Sequence, residues 1–203
     1  MRVEDTLAKF IPDWPRGAEV TLYHLLTHTS GISNYTAKPT FSANVTQGIA
    51  LDDLIRSFRD DPYDFAPGTQ FRYDNSGYVL LGFVVEKASG LSYADYLHRE
   101  FFEPLGMKDT GVDEVGPAIG RHALGYSYDG GVVRRSVNWD ISRLAGAGVL
   151  HSTVGDLCRW NEGLFNGRIL SAASVRLATA ANWPALADTC CACQPTNSQS
   201  SYS

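Results

Sequence analysis

The stretch FRYDNSGYVLLGFVVEKASG, residues 71–90, begins with polar residues and continues into an apolar segment. The apolar run, followed by Gly90, predicts a helix over residues 77–88 that ends at the glycine. Asn75 and Ser76 stand just before this segment, and side chains of both types favour the N-cap of a helix. The stretch therefore predicts a helix whose N-terminal end carries short polar side chains.

Tyr73 and Asn75 lie two residues apart at the mouth of this helix. One interpretation is structural, with Tyr73 as an aromatic wedge and Asn75 as an N-cap. The other is chemical, because a helix mouth holds short polar side chains rigidly and can direct them into a cleft. The residues alone leave both open, and the chemical interpretation requires partners elsewhere in the chain.

Composition places the chain among ordinary globular proteins. It has 203 residues, 44% of them hydrophobic and 19% charged, with a net charge of -5. Nucleic-acid binding is not predicted, because the only basic cluster is the pair Arg134 and Arg135. No apolar run is long enough to span a membrane. The opening MRVEDTLAKF has no apolar core, so no signal peptide is predicted in this chain, and its location is left open.

Two segments before residue 71 also have helical periodicity. In TLYHLLTHTSGI, residues 21–32, Thr21 is the predicted N-cap, and the predicted buried stripe is Leu22, Leu25 and Leu26. In ALDDLIRSF, residues 50–58, the apolar side is Leu51, Leu54, Ile55 and Phe58. Residues 33–48, between the two, are predicted to be irregular.

The segments after residue 90 add more helices and one hairpin. Three of them begin with a capping serine or threonine, namely Ser92, Thr153 and Ser171. ALGYSYDGGVVRRSV alternates apolar and polar residues around Asp129-Gly130-Gly131, which predicts a β-hairpin. The residues thus predict a mainly α chain with a small β-hairpin.

The last residues differ in composition from the rest. Residues 182–203 lose helical periodicity and are rich in Cys, Ser, Thr and Gln, so they are predicted to be a disordered or out-of-frame tail. Cys190, Cys191 and Cys193 crowd this tail without the paired spacing or histidine partners of a zinc site. No metal site and no cofactor are predicted.

Three stretches together resemble one family: TLYHLLTHTSGI, APGTQFRYDNSGYVLLGFVVEKASGLSYADYLHREFFEPLGM and AGAGVLHSTVGDLCRWNEGLFNGRILS. They are similar to the class C β-lactamase-like serine hydrolases, which include β-lactamases, D,D-peptidases and related esterases. The resemblance implies the helical domain of an α/β + α fold with most of the sheet domain missing, so residues 1–181 are expected to be a partial β-lactamase-like domain. It also implies a small-molecule or peptide substrate and no cofactor.

The family combines three motifs in a cleft: SxxK, YxN, and KTG or HxG. Tyr73-Asp74-Asn75 matches YxN, so the resemblance implies that Tyr73 is the general base and that Asn75 binds substrate. No serine in this sequence has a lysine three residues on, and no lysine or histidine has a glycine two residues on. We therefore expect a truncated chain that is inactive alone.

An isolated tyrosine is a poor base. Only about one free phenol in a thousand is ionised at neutral pH, so base action requires neighbouring cations. Lys38 and Arg72 have no assigned place near the motif, and His28 is expected to satisfy a helix C-terminus instead. The serines near the motif, Ser30, Ser33 and Ser76, are expected to satisfy helix ends. The alternative function is a non-catalytic module that binds a peptide or a protein through Tyr73 and Asn75. Its oligomeric state is left open.

Overall fold

The computed structural model describes residues 1–113 and 123–180. Its α-helices, in chain order, are α1 Leu22–Leu26, α2 Pro39–Ala43, α3 Leu51–Arg59, α4 Ser76–Ser89, α5 Tyr93–Leu97, α6 Glu103–Leu105, α7 Val154–Phe165 and α8 Ala172–Thr179. A π-helical turn, His98–Phe102, joins α5 to α6. Short 3-10 helices cover Leu7–Lys9, Tyr35–Ala37, Ile141–Arg143 and Ala145–Ala147. The strands are β1 Gly111–Val112, β2 Tyr126–Asp129, β3 Val132–Arg135 and β4 Leu150–His151.

The chain divides into two compact units, Met1–Asn161 and Glu162–Ser203. In the second unit, the Ser171 hydroxyl caps α8 by accepting the backbone N–H of Ser174. The predicted tail, residues 182–203, and its three cysteines lie outside the described residues.

The core of the first unit forms around α4. The buried side chains of α1, α3 and α4 pack into one cluster: Leu22, Leu25, Leu54, Ile55, Phe58, Val79, Leu80 and Val84. Each large apolar side chain that is fully buried contributes about 1.5–3 kcal/mol relative to an exposed one. Two glycines let the 3-10 helix Ala145–Ala147 approach α4 closely, because Gly146 and Gly82 bring no side chain between the two backbones.

Most of the predicted helices are confirmed, with local differences. The Thr21 hydroxyl caps α1 by accepting the N–H of His24, and the His24 ring accepts the N–H of Thr21 in return. Leu26, predicted in the buried stripe, is instead exposed because α1 ends there after five residues. Residues 33–48, predicted irregular, contain α2 and the 3-10 helix Tyr35–Ala37. Asn34 caps that 3-10 helix and Pro39 opens α2, as residues of these types commonly do.

The hairpin is confirmed, and a second pair of strands was not predicted. β2 and β3 pair antiparallel, with Tyr126 opposite Arg135, and Gly130 and Gly131 form the turn at φ 55° and 87°. β1 and β4 also pair antiparallel, with Gly111 opposite His151. Strands of two residues carry too little alternation to be recognised in a sequence. Across both described ranges, no helix has the length and apolar character needed to cross a bilayer.

Candidate functional site

Tyr73 and Asn75 sit where an extended segment enters α4. Three backbone hydrogen bonds tie the turn after α1 to the approach to α4. The N–H groups of Asp64, Gly68 and Arg72 donate to the carbonyls of Gly31, Thr29 and His28, at 2.8, 2.8 and 3.0 Å. The motif is therefore anchored to α1, and its position does not depend on α4 alone.

The Tyr73 side chain leans on an aromatic stack and keeps its hydroxyl accessible. Its ring lies 4.6 Å from the His28 ring, centre to centre, and the His28 ring stacks on Tyr78 at 5.0 Å. The residue is 59% exposed, and its hydroxyl donates to Asn75 Oδ1 at 3.1 Å. The phenol of Tyr73 thus packs on the His28 ring, faces solvent and lies beside the Asn75 amide.

His28 is held as a structural support. Its backbone is in the left-handed region, with φ at 56°. Its Nδ1 accepts the backbone N–H of Asp74 at 3.3 Å, and the nearest carboxylate oxygen of Asp74 lies 3.6 Å away. The ring thus supports the backbone at the centre of the Tyr-Asp-Asn motif.

The other two tyrosines near the motif remain protonated. Burial raises the pKa of Tyr78, as do the neighbouring Tyr73 and Asp74. Burial also raises the pKa of Tyr35, against the opposing effect of Arg143. The Tyr78 hydroxyl donates to the carbonyl of Leu26 at 3.1 Å. Both phenols act as structural donors, which leaves Tyr73 as the exposed phenol of this group.

The Asn75 amide is bound on both of its polar atoms. Its Oδ1 accepts from Tyr73, and its Nδ2 donates to Thr36 Oγ1 at 2.8 Å. Its backbone N–H donates to Asn34 Oδ1 at 3.1 Å. Asn34 Oδ1 also accepts from the Thr36 hydroxyl at 2.9 Å. The motif is therefore part of a polar network with the segment that follows α1.

Asn75 occupies the predicted N-cap position of α4, but the side-chain capping bond comes from Asp74, one residue earlier. The buried Asp74 carboxylate accepts the backbone N–H of Gly77, whereas Asn75 makes no capping hydrogen bond. The Asn75 side chain binds Tyr73 and Thr36 instead. The buried Asp74 thus supplies the capping bond, while the exposed Tyr73 and the half-buried Asn75 on either side of it bond to each other.

Two of the three candidate serines near the motif, Ser30 and Ser76, have structural partners. Ser30 and Ser76 are fully buried. Ser30 Oγ accepts the N–H of Ile32 at 3.2 Å. The Ser76 hydroxyl donates to the Ser33 carbonyl at 2.6 Å and accepts the N–H of Tyr35 at 3.0 Å. A buried hydroxyl with both functions engaged is not a nucleophile for an external substrate.

The candidate cations are paired with other groups. Lys38 Nζ lies 2.5 Å from Asp61 Oδ2 and donates to the Ser57 carbonyl. Arg72 lies 2.9 Å from Asp64. Across residues 1–113 and 123–180, no group of three or more His, Cys, Asp or Glu side chains is arranged to hold a metal ion.

Asn34 and Thr36 are the site residues that the sequence did not reveal. They lie in the segment that was predicted to be irregular, and their bonds to Asn75 span 41 and 39 residues. The sequence carries one signal for them, since an asparagine two residues before a threonine can form an Asx turn. That signal points to a turn and says nothing of a partner at Asn75.

The fold has counterparts in known proteins. The Beta-lactamase family model matches residues 1–189. The chain belongs to this family. The predicted resemblance is thereby confirmed, and the chain is a β-lactamase-like serine hydrolase family member.

Three relatives illustrate the match to the β-lactamase family. A penicillin-binding protein of Bacillus subtilis is 33% identical over 187 residues, which cover 84% of this chain and 41% of the relative. D-amino acid amidase from Ochrobactrum anthropi SV3 superposes with a TM-score of 0.76 at 30% identity, over 86% of this chain and 51% of the amidase. The D-stereospecific amidohydrolase from Streptomyces sp. gives 0.77 at 26% identity, over 87% and 57%. The chain thus spans about half the length of these relatives.

Proposed function

We propose that Tyr73 and Asn75 are the base and the substrate-binding amide of an acyl-transfer site in a β-lactamase-family hydrolase. The observation that carries the proposal is the exposed Tyr73 hydroxyl, 3.1 Å from the Asn75 amide at the mouth of α4. The family match over residues 1–189 supports it.

In the proposed reaction a serine hydroxyl attacks the carbonyl carbon of an amide, a β-lactam or an ester. Tyr73, as phenolate, takes the proton of that hydroxyl, and Asn75 donates an N–H to an oxygen of the substrate. The leaving group departs with a proton, and water then hydrolyses the acyl-serine. The relative named as a D-amino acid amidase favours, as substrate, an amide whose acyl group comes from a D-amino acid.

The 203 residues alone are proposed to be inactive or nearly so. The sequence contains no Ser-x-x-Lys and no Lys-x-Gly or His-x-Gly. A phenol with no cation beside it is a poor base, and without a nucleophile there is no acyl-enzyme. We further propose that residues 1–181 supply mainly the helical domain of the fold, since the described strands are only two to four residues long.

The test is hydrolysis by the purified chain of a chromogenic cephalosporin, a p-nitrophenyl ester and D-phenylalanine amide. We expect no turnover above that of the Tyr73→Phe variant for any of the three. Turnover that Tyr73→Phe abolishes and the control Tyr78→Phe retains would show a complete catalyst, and would contradict the proposed inactivity.

The second candidate function is a binding module without catalysis. It is favoured by one observation: the Asn34, Thr36, Tyr73 and Asn75 network is fully formed although the nucleophile motif is absent. It predicts saturable binding of a D-Ala-D-Ala peptide in calorimetry. Binding should be lost in Asn75→Ala and kept in Asn44→Ala, a control at the C-terminal end of α2 whose amide donates to the Thr40 carbonyl. Heat signals equal to those of buffer for the unmodified chain would exclude this candidate.

A further inference from the structure

We propose that Thr36 is a positioning residue that fixes the orientation of the Asn75 amide, so that its oxygen faces Tyr73 and one N–H remains for substrate. The inference rests on the proposed function of Tyr73 and Asn75. It follows from the direction of each hydrogen bond in the network, taken one bond at a time.

The direction of the hydrogen bonds is set at Asn34, because two backbone N–H groups hold its side-chain oxygen in place. Asn34 Oδ1 accepts the backbone N–H of Thr36 at 3.3 Å and that of Asn75 at 3.1 Å. A backbone N–H can only donate, so the atom facing both groups must be the oxygen of the Asn34 amide. The Asn34 amide therefore has one permitted orientation.

That orientation fixes the hydroxyl of Thr36. Its Oγ1 lies 2.9 Å from Asn34 Oδ1, and an amide oxygen only accepts. The single hydroxyl hydrogen of Thr36 must point at Asn34. Oγ1 of Thr36 is left with lone pairs only, so its second neighbour must be a donor.

The second neighbour of Thr36 is the Asn75 amide. Its nitrogen lies 2.8 Å from Thr36 Oγ1, so Nδ2 occupies that side and Oδ1 occupies the other. Oδ1 lies 3.1 Å from the Tyr73 hydroxyl, which must then donate. The chain of donors runs one way, from Tyr73 through Asn75 and Thr36 to Asn34.

Two chemical consequences follow for the motif. Tyr73 holds its proton while it donates to Asn75, so base action requires this bond to break or the amide to turn. The Asn75 amide has two N–H donors, one of which is engaged by Thr36 among the described residues. The other suits a hydrogen-bond acceptor such as the carbonyl oxygen of an acyl substrate.

The test removes the Thr36 hydroxyl and measures the orientation of the amide. Valine is close in shape to threonine but neither donates nor accepts. In the isotope-labelled 203-residue chain we would compare two NMR cross-peaks of the Asn75 side-chain NH2: one to the Thr36 side chain, and one to the Tyr73 ring. In the unmodified protein we expect the cross-peak to Thr36 to be the stronger.

In Thr36→Val the cross-peak from the Asn75 NH2 to the Tyr73 ring should become at least about two-fold more intense, because both orientations of the Asn75 amide become accessible. Its intensity is normalised to a cross-peak between two Tyr73 ring protons, whose separation is fixed. Thr36→Ser restores the hydroxyl and should restore the original intensity. A merely structural role for Thr36 would change the unfolding midpoint without this selective change and rescue.

Three outcomes would overturn the inference: an unchanged cross-peak in Thr36→Val, no rescue by Thr36→Ser, or a stronger cross-peak to Tyr73 in the unmodified protein. The last needs no variant, so the inference stays testable if Thr36→Val fails to fold. The hydrolysis assays test the proposed function separately, since the amide orientation is measured without substrate.

Discussion

At the scale of single residues, the site depends on a turn that few side chains can adopt. His28 and Gly31 both have left-handed backbones, at φ 56° and 73°, and between them the chain reverses after α1. This reversal places the His28 ring against Tyr73 and the Gly31 carbonyl against the N–H of Asp64. Most L-residues avoid such a backbone because their Cβ meets a carbonyl oxygen.

Gly31→Ala should destabilise the protein strongly. A Cβ at Gly31 would lie 2.1 Å from the Phe65 carbonyl oxygen, in addition to the cost of the left-handed backbone. We expect a loss of roughly 3 kcal/mol in the free energy of unfolding, measured by urea denaturation. The matched control is Gly90→Ala, where φ is 72° and nothing lies within 4 Å of the new Cβ. Its cost should be about 1 kcal/mol, and equal losses would contradict the role of Phe65.

At the scale of elements, α4 acts as a platform that is packed from several sides. Its N-terminal end carries the motif, its buried face joins the core, and its middle receives the 3-10 helix Ala145–Ala147. The contact point lies near Tyr78, whose ring supports His28. A change in this packing should therefore reach the motif through α4.

Gly146→Ala should push the 3-10 helix away from α4. The new Cβ would lie 2.6 Å from the Tyr78 carbonyl oxygen and 3.0 Å from Gly82 Cα, both backbone atoms. Such crowding should lower the free energy of unfolding by about 1–3 kcal/mol, measured by denaturation in urea. Near-ultraviolet circular dichroism should change as the Tyr78 ring moves.

The control for this prediction is a helical glycine with room beside it. At Gly155 of α7 the nearest atom to a new Cβ is Arg159 Nη1, at 3.5 Å. Gly155→Ala should be neutral or stabilising by up to about 1 kcal/mol, because alanine is the better helix former. Equal destabilisation by the two substitutions would show that the close approach at Gly146 is not the cause.

At the scale of the whole molecule, the first unit leaves large apolar side chains in contact with solvent. Val154 and Leu157 are 80% and 51% exposed and lie three residues apart on one face of α7. Leu150, four residues before Val154, is 52% exposed. Exposed apolar patches mark surfaces that another structure can cover.

The native chain should therefore bind a hydrophobic dye such as ANS. Replacing Val154 and Leu157 together by glutamine should lower the dye fluorescence and change the free energy of unfolding by less than about 0.5 kcal/mol, because both side chains are exposed. Asn161→Gln, on the same helix, should leave the fluorescence unchanged. Absence of dye binding by the folded, unmodified chain would contradict an uncovered apolar face.

The sequence by itself determined the local elements and the residues of the motif. Thr21, Ser92 and Ser171 cap the helices that were predicted for them, and Gly130-Gly131 forms the predicted turn. These signals are readable because a cap acts within three residues and a turn within four. The Tyr-x-Asn motif could also be recognised from three consecutive residues of the sequence.

The tertiary structure alone decided which side chains surround the motif and which way their hydrogen bonds run. Asn34 and Thr36 reach Asn75 across 41 and 39 residues, and Gly146 reaches α4 across 64 residues from Gly82. No local propensity specifies such contacts, because they arise only when the apolar faces of α1, α3 and α4 pack and bring distant turns together. The contact of His28, from the turn after α1, with the backbone N–H of Asp74 also spans 46 residues.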